Sequence, residues 1–270
     1  MAHRTLAIKT LISIEADDVG YARATFNAPL KCITVEHGYT TDVLPTLNLD
    51  RHKSIVWLDH DTGAEDSAFR DISLLVENCK GGSVVLVTVN AEAKRVQKLI
   101  DASAPDKVTP DQIREYLATK MGDVVPTTLV EEDVDDDGYP KLIRRILETA
   151  LKSALRLSGR RLEFLKLYDF TYRDGPAMAT VGGLLADAKT VAKVTADGSI
   201  ANWPGIIAET IRTPPLTMRE KMAFDQLLPS SAKLVESTFE ARAGFPLTQE
   251  QISAYVDYYS LYPTFAELQL

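Results

Sequence analysis

Two short β-branched runs constrain the fold of this chain more than any other feature. Ser54-Ile-Val-Trp-Leu-Asp-His-Asp61 and Gly82-Ser-Val-Val-Leu-Val-Thr-Val-Asn90 carry no helical period and are bounded by glycine or polar residues. Such runs fit strands buried on both faces of a parallel sheet. Each ends in groups able to hold a ligand: Asp59 and Asp61 on the first, Thr88 and Asn90 on the second. In open α/β sheets the ligand crevice lies outside the carboxyl ends of the strands, so two strands ending this way predict a small-molecule site.

The residues around these runs extend the same pattern. Thr10–Glu15 and Lys31–Glu36 read as further strands, with a helix over 17–27 between them and Asp17 or Asp18 as its cap. A short helical turn over 41–47 and a helix over 65–78 complete an alternation that predicts right-handed β-α-β units. Residues 91–161 read as a polar helical insertion, broken by acids at Glu131–Asp137. Leu162–Arg173 and Ala177–Leu185, joined by Asp174-Gly175-Pro176, read as a terminal antiparallel hairpin. The expected organisation is a core over 1–90 and 162–209, the insertion over 91–161, and a helical tail over 210–270. The class is α/β: a Rossmann-like, mostly parallel sheet with the hairpin at its end.

Composition narrows the function. A formal charge of −8 argues against nucleic acid as the main partner, because phosphate contacts need clustered Lys and Arg. No apolar run approaches the roughly 18 residues of a membrane helix. Two cysteines without metal spacing imply a reducing compartment, and the expected location is cytoplasmic.

Within this frame each candidate site residue has a chemical reason and a plainer alternative. Glu15 ends a strand where a carboxylate can accept both hydroxyls of a ribose; otherwise it is a solvated neighbour of the cap. Gly38 lets the backbone approach a ligand, and Tyr39 can pack on a flat base. Asp59 and Asp61, with Asn90, offer oxygen ligands for a cation such as Mg²⁺, unless Asp61 only caps the next helix. Tyr172 and Asp174, at the hairpin tip, reach the substrate side if the tip folds over the strand ends. Asp133–Gly138 imitates half of a calcium loop, but Arg144 stands where a bidentate glutamate is needed, so it reads as a solvated loop.

Taken together, the segments resemble a class I methyltransferase. More narrowly, the chain resembles a bacterial family of O-methyltransferases over nearly its whole length. That resemblance rests on Ala2-His-Arg with Ser13-Ile-Glu15, Arg23 with Phe26-Asn-Ala-Pro29, Ile55–Asp61, Tyr172–Gly183, Pro215–Glu220, Leu227-Leu-Pro229 and Tyr258–Pro263. It implies S-adenosylmethionine as cofactor and a small-molecule methyl acceptor. Glu15 would hold the ribose, Gly38 and Tyr39 would lie near the adenine, and Asp59 would face methyl transfer. A metal-dependent member would place ligands at Asp59 and Asn90, but Val89 stands where a second acid is expected. The family's glycine-rich turn after its first strand has no counterpart here, which implies a shortened chain or a member with poor cofactor affinity.

Two other functions fit parts of the sequence. Asp59-His-Asp61 with Thr62-Gly63 and Thr88 resembles a Mg-dependent phosphohydrolase of the haloacid-dehalogenase type. A non-catalytic, methyltransferase-like scaffold would bind a protein partner through the helical insertion or through Tyr255, Tyr258, Tyr259 and Tyr262 of the tail.

Overall fold

The computed structural model describes residues 2–173, 175–197, 200, 206–211 and 216–261. A short helix α1 (Ala2–Leu6) precedes the first β-α-β unit, which runs β1 (Leu11–Glu15), α2 (Asp18–Asn27) and β2 (Ile33–His37). Asp17 caps α2 as predicted, its carboxylate accepting the Gly20 N–H at 2.7 Å. The second unit follows through α3 (Thr40–Val43) and a 3₁₀ turn at Leu44–Thr46. It comprises β3 (Ile55–His60), α4 (Asp66–Asn78) and β4 (Ser83–Asn90). Helices α5 (Ala93–Ile100), α6 (Pro110–Met121), α7 (Glu131–Val134) and α8 (Gly138–Leu157) come next. The hairpin β5 (Glu163–Arg173) and β6 (Ala177–Ala186) leads to α9 (Ala188–Thr195) and β7 (Ile206–Ile211).

The class is α/β, and the hairpin forms where the sequence predicts it. β1 and β2 pair in parallel as a two-stranded sheet. The second sheet has the order β3-β4-β6-β5-β7, and among the described residues no ladder joins it to the first. Within it β3 and β4 are parallel, while β6 lies between β4 and β5 and pairs antiparallel with both. The core sits on the face that β4 and β6 present to α4 and α8. Val85, Val87, Val89, Ala179, Val181, Ile72, Leu75, Ile143 and Ile146 are fully buried there. Nearly complete burial of β6 explains its two glycines. A Cβ at Gly182 would fall 2.6 Å from the Val85 carbonyl oxygen, and one at Gly183 would collide with that of Leu165.

Helix α8 is therefore part of the core, although the sequence places it in an appended segment. Its Leu142, Ile143, Ile146, Leu147, Ala150 and Leu151 have no exposed surface. Two ion pairs tie it to β5: Arg144 donates to Asp169 at 2.6 Å, and Lys166 donates to Glu148 at 2.7 Å. Cys79 is buried, which pushes its thiol up to about 11, and neither cysteine is in a disulfide.

Glu209–Leu270 forms a second compact unit, separate from Met1–Ala208. It holds α10 (Met218–Asp225), α11 (Glu236–Ala243) and α12 (Gln249–Tyr258) around Phe224, Phe239, Ile252 and Tyr255. Tyr255 belongs to this core, with 0% exposure, and is not part of an open tyrosine face; Tyr262 lies outside the described residues. Among the described residues no helix is long and apolar enough to cross a membrane.

Candidate functional site

The carboxyl ends of the strands collect the predicted residues into two groups, one on each sheet. On the first sheet, Glu15 pairs in register with His37, and the Gly38 N–H donates to the Glu15 carbonyl at 3.0 Å. Gly38 has φ +146°, a conformation that suits glycine, and it turns the chain into α3. Glu15 is half-buried, and its carboxylate lies over Gly20, where a Cβ would sit 3.5 Å from Oε2. Tyr39 stands 69% exposed beside this corner. The His37 ring stacks on Tyr21 with centroids 4.7 Å apart, and its Nε2 lies 3.2 Å from Asp18 Oδ1. The pattern of a half-buried carboxylate, a left-handed glycine and an exposed aromatic ring fits a nucleoside: diol, backbone approach and base.

On the second sheet, register defines rows of side chains on one face. Trp57, Leu86, Gly182 and Tyr168 form one row; Asp59, Thr88, Thr180 and Phe170 form the next. Asn90, Met178 and Tyr172 form a third at the strand ends. Asp59, Asn90 and Tyr172 thus lie at the same edge of the sheet, with Asp61 just beyond β3. Asp59 and Asp61 are exposed, whereas Tyr172 is half-buried with its ring centroid 6.3 Å from that of Phe170. Asp174 lies outside the described residues.

The chemistry open to this edge is narrower than the sequence suggests. The Asn90 Oδ1 accepts the Glu92 N–H at 3.0 Å, so its amide closes the turn after β4. No group of three or more His, Cys, Asp or Glu side chains able to hold a cation occurs among the described residues. The expected Mg²⁺ set of Asp59, Asp61 and Asn90 gains no support from a carboxylate cluster. Thr88, which the phosphohydrolase reading needs at its ligand, is fully buried. Its hydroxyl receives the Trp57 indole N–H at 2.9 Å and bonds Thr180 Oγ1 at 2.8 Å, so that reading loses its hydroxyl.

Three features escape the sequence. Trp57 is pinned by its indole N–H yet 59% exposed, forming a fixed aromatic surface beside Asp59. Behind β3, His60 Nε2 lies 3.6 Å from Asp71 Oδ2, a pairing that joins a strand to a helix and leaves no local signal. Beside Asn90 is a small cleft of mixed character whose lining includes Glu65, Arg95, Val96, Tyr116, Leu117 and Tyr139. There Arg95 is held by Glu65 at 2.7 Å, and burial pushes the Tyr139 phenol well above its usual range.

Comparison with known proteins adds a family. The chain matches the model described as "Putative O-methyltransferase" over residues 1–270. No curated protein matches it. Among solved structures, one described as a "putative sarcosine dimethylglycine methyltransferase from Galdieria sulphuraria" aligns at 12% identity. The alignment covers 68% of this chain and 71% of that chain, with a TM-score of 0.31.

Proposed function

On the premise that this chain belongs to the O-methyltransferase family matched over residues 1–270, we propose that it transfers a methyl group to an oxygen of a small-molecule acceptor. The family implies S-adenosylmethionine, which supplies an electrophilic methyl group when bound. The observation that carries the reading is that Glu15 and Asp59 each close a parallel strand at its carboxyl end with the carboxylate accessible. Glu15 is suited to accept the ribose hydroxyls, with Gly38 allowing close backbone approach and Tyr39 covering the base. Asp59 is suited to take the proton of the acceptor hydroxyl, so that the oxygen becomes nucleophilic as the methyl group is presented in line. Tyr172, in the row beyond Asp59, would bound the acceptor. Asp61 is near enough to raise the local negative potential, since its charge acts on His60.

The test is isothermal titration of S-adenosylmethionine and its demethylated product into this chain, with and without Mg²⁺. Micromolar binding is the expected result, and a gain on adding Mg²⁺ would favour Asp59, Asp61 and Asn90 as oxygen ligands. Silence in both titrations would refute a working cofactor site. Once an acceptor is found, Asp59→Asn should lower turnover by about 10²–10⁴-fold, the usual contribution of a general base, while leaving the circular dichroism spectrum unchanged. Wild-type turnover in that variant would remove Asp59 from the mechanism.

A further inference from the structure

The cleft beside Asn90 lies at the same carboxyl edge as Asp59. The Asn90 N–H donates to the Thr62 carbonyl at 2.9 Å, stitching the loop after β3 to the end of β4. The cleft has room for about one water-sized group, with Val96 and Leu117 as apolar wall beside its polar residues. Tyr139 is only 3% exposed, yet among the described residues its hydroxyl makes no hydrogen bond. Arg95 spends Nη2 on Glu65, and its Nη1 lies over Gly63, 2.7 Å from where a Cβ would stand. Asn90 has its Oδ1 engaged by the Glu92 N–H, so it offers its Nδ2 donors.

Charge and donor count together select the occupant. One guanidinium stands against the two carboxylates of Glu65 and Glu92, so an anion entering the cleft meets a lining that is already net negative. An ammonium brings donors alone and leaves the Arg95 and Asn90 N–H groups unmatched. A hydroxyl both accepts from these donors and donates to a carboxylate. We propose that the cleft receives a second, non-reacting hydroxyl of the methyl acceptor, and that the Glu65–Arg95 pair restricts that acceptor to neutral hydroxylated molecules. Calling the ligand the acceptor rests on the methyl-transfer reading; the preference for a hydroxyl rests on the cleft alone.

Nitrogen-15 NMR of the whole chain without cofactor tests this, following the Asn90 side-chain amide and the Arg95 Nε–H, with the backbone spectrum as folding control. The probes are phenol, benzoate and benzylamine. Phenol should shift both signals at millimolar concentration, while the other two leave them unmoved. Tyr139→Phe, which removes only the hydroxyl, should weaken phenol about two- to tenfold. Glu65→Gln frees the Arg95 charge and should admit benzoate; Glu65 makes no side-chain cap bond, so α4 keeps its start. Signals that phenol does not move would mean a site for water only and overturn the proposal. It is overturned equally by a wild type that takes benzoate or benzylamine as well as phenol, by Tyr139→Phe without effect, or by Glu65→Gln that still excludes benzoate. Failure of S-adenosylmethionine to bind would refute the methyl-transfer reading and leave these results standing, so the two failures are distinct.

Discussion

His60 and Asp71 face each other where β3 packs on α4, and each retains an atom, Nε2 and Oδ1, with no hydrogen-bond partner among the described residues. Burial raises the Asp71 carboxyl from 3.8 to about 6 and lowers His60, so each side chain favours its neutral form. An acid whose folded pKa is raised binds more protons folded than unfolded between about pH 4 and 6, so its contribution to stability falls as pH rises through that window. Two pKa units correspond to about 3 kcal/mol at most. Asp71→Asn should therefore stabilise the chain by about 1–2 kcal/mol at pH 7.5 and by little at pH 4, measured as the difference in urea midpoints. A gap that is constant with pH would mean that Asp71 does not titrate as its burial requires. Legibility at this scale follows sequence distance. The Asp17 cap could be read because its partner, Gly20, is three residues away, and Asp59 because a strand end announces itself. The Asp71 pairing and the Trp57–Thr88 bond join residues from different elements and left no mark that periodicity could detect. At Asn90 the sequence shows a strand-end amide but not that its Oδ1 accepts the Glu92 N–H and closes the turn.

Between elements, β6 does what no stretch of sequence announces: it enters between β4 and β5. The hairpin itself was legible, since Asp174-Gly175-Pro176 separates two apolar runs, but strand order depends on long-range pairing and on backbone approach at Gly182 and Gly183. Gly183→Ala places a methyl group against the Leu165 carbonyl, beside the irregular register at Lys166 and Tyr168. Neither backbone can yield without breaking ladder hydrogen bonds. The variant should lose about 3 kcal/mol, the upper end of the usual cost of overpacking a core, and accumulate as insoluble protein on expression. Normal solubility and an unchanged melting temperature would show that β5 can move away. Helix α8 presents the converse case. The sequence reads residues 91–161 as a polar helical insertion, yet α8 within them covers the hairpin. Ile146 is fully buried against it, so Ile146→Ala should cost about 2–5 kcal/mol by chemical denaturation, against near zero for Lys141→Ala on the exposed side.

At the scale of the molecule, the chain divides at Ala208/Glu209 into two compact units. The sequence suggested an aromatic tail with tyrosines at helical spacing, and that spacing cannot tell a face turned outward from one turned onto neighbouring helices. The structure turns Tyr255 inward: its ring centroid lies 4.6 Å from that of Phe224, and its hydroxyl donates to Asp225 at 2.6 Å. Phe224 also stacks on Phe239 at 4.0 Å, so three helices converge on one ring. A core this small has little redundancy, because a unit of about 60 residues buries a smaller fraction of its surface than a full-sized domain does. Phe224→Ala should cost about 3–5 kcal/mol locally, enough to exhaust the stability of such a unit. The larger unit keeps its own core of sheet, α4 and α8. Limited proteolysis of the full chain should then cut the variant within 216–261 while sparing residues before 206, and calorimetry should retain the main transition. If both units instead melt together in the variant, the tail is a structural part of the methyltransferase core, and its three helices are coupled to the sheet rather than folded on their own account.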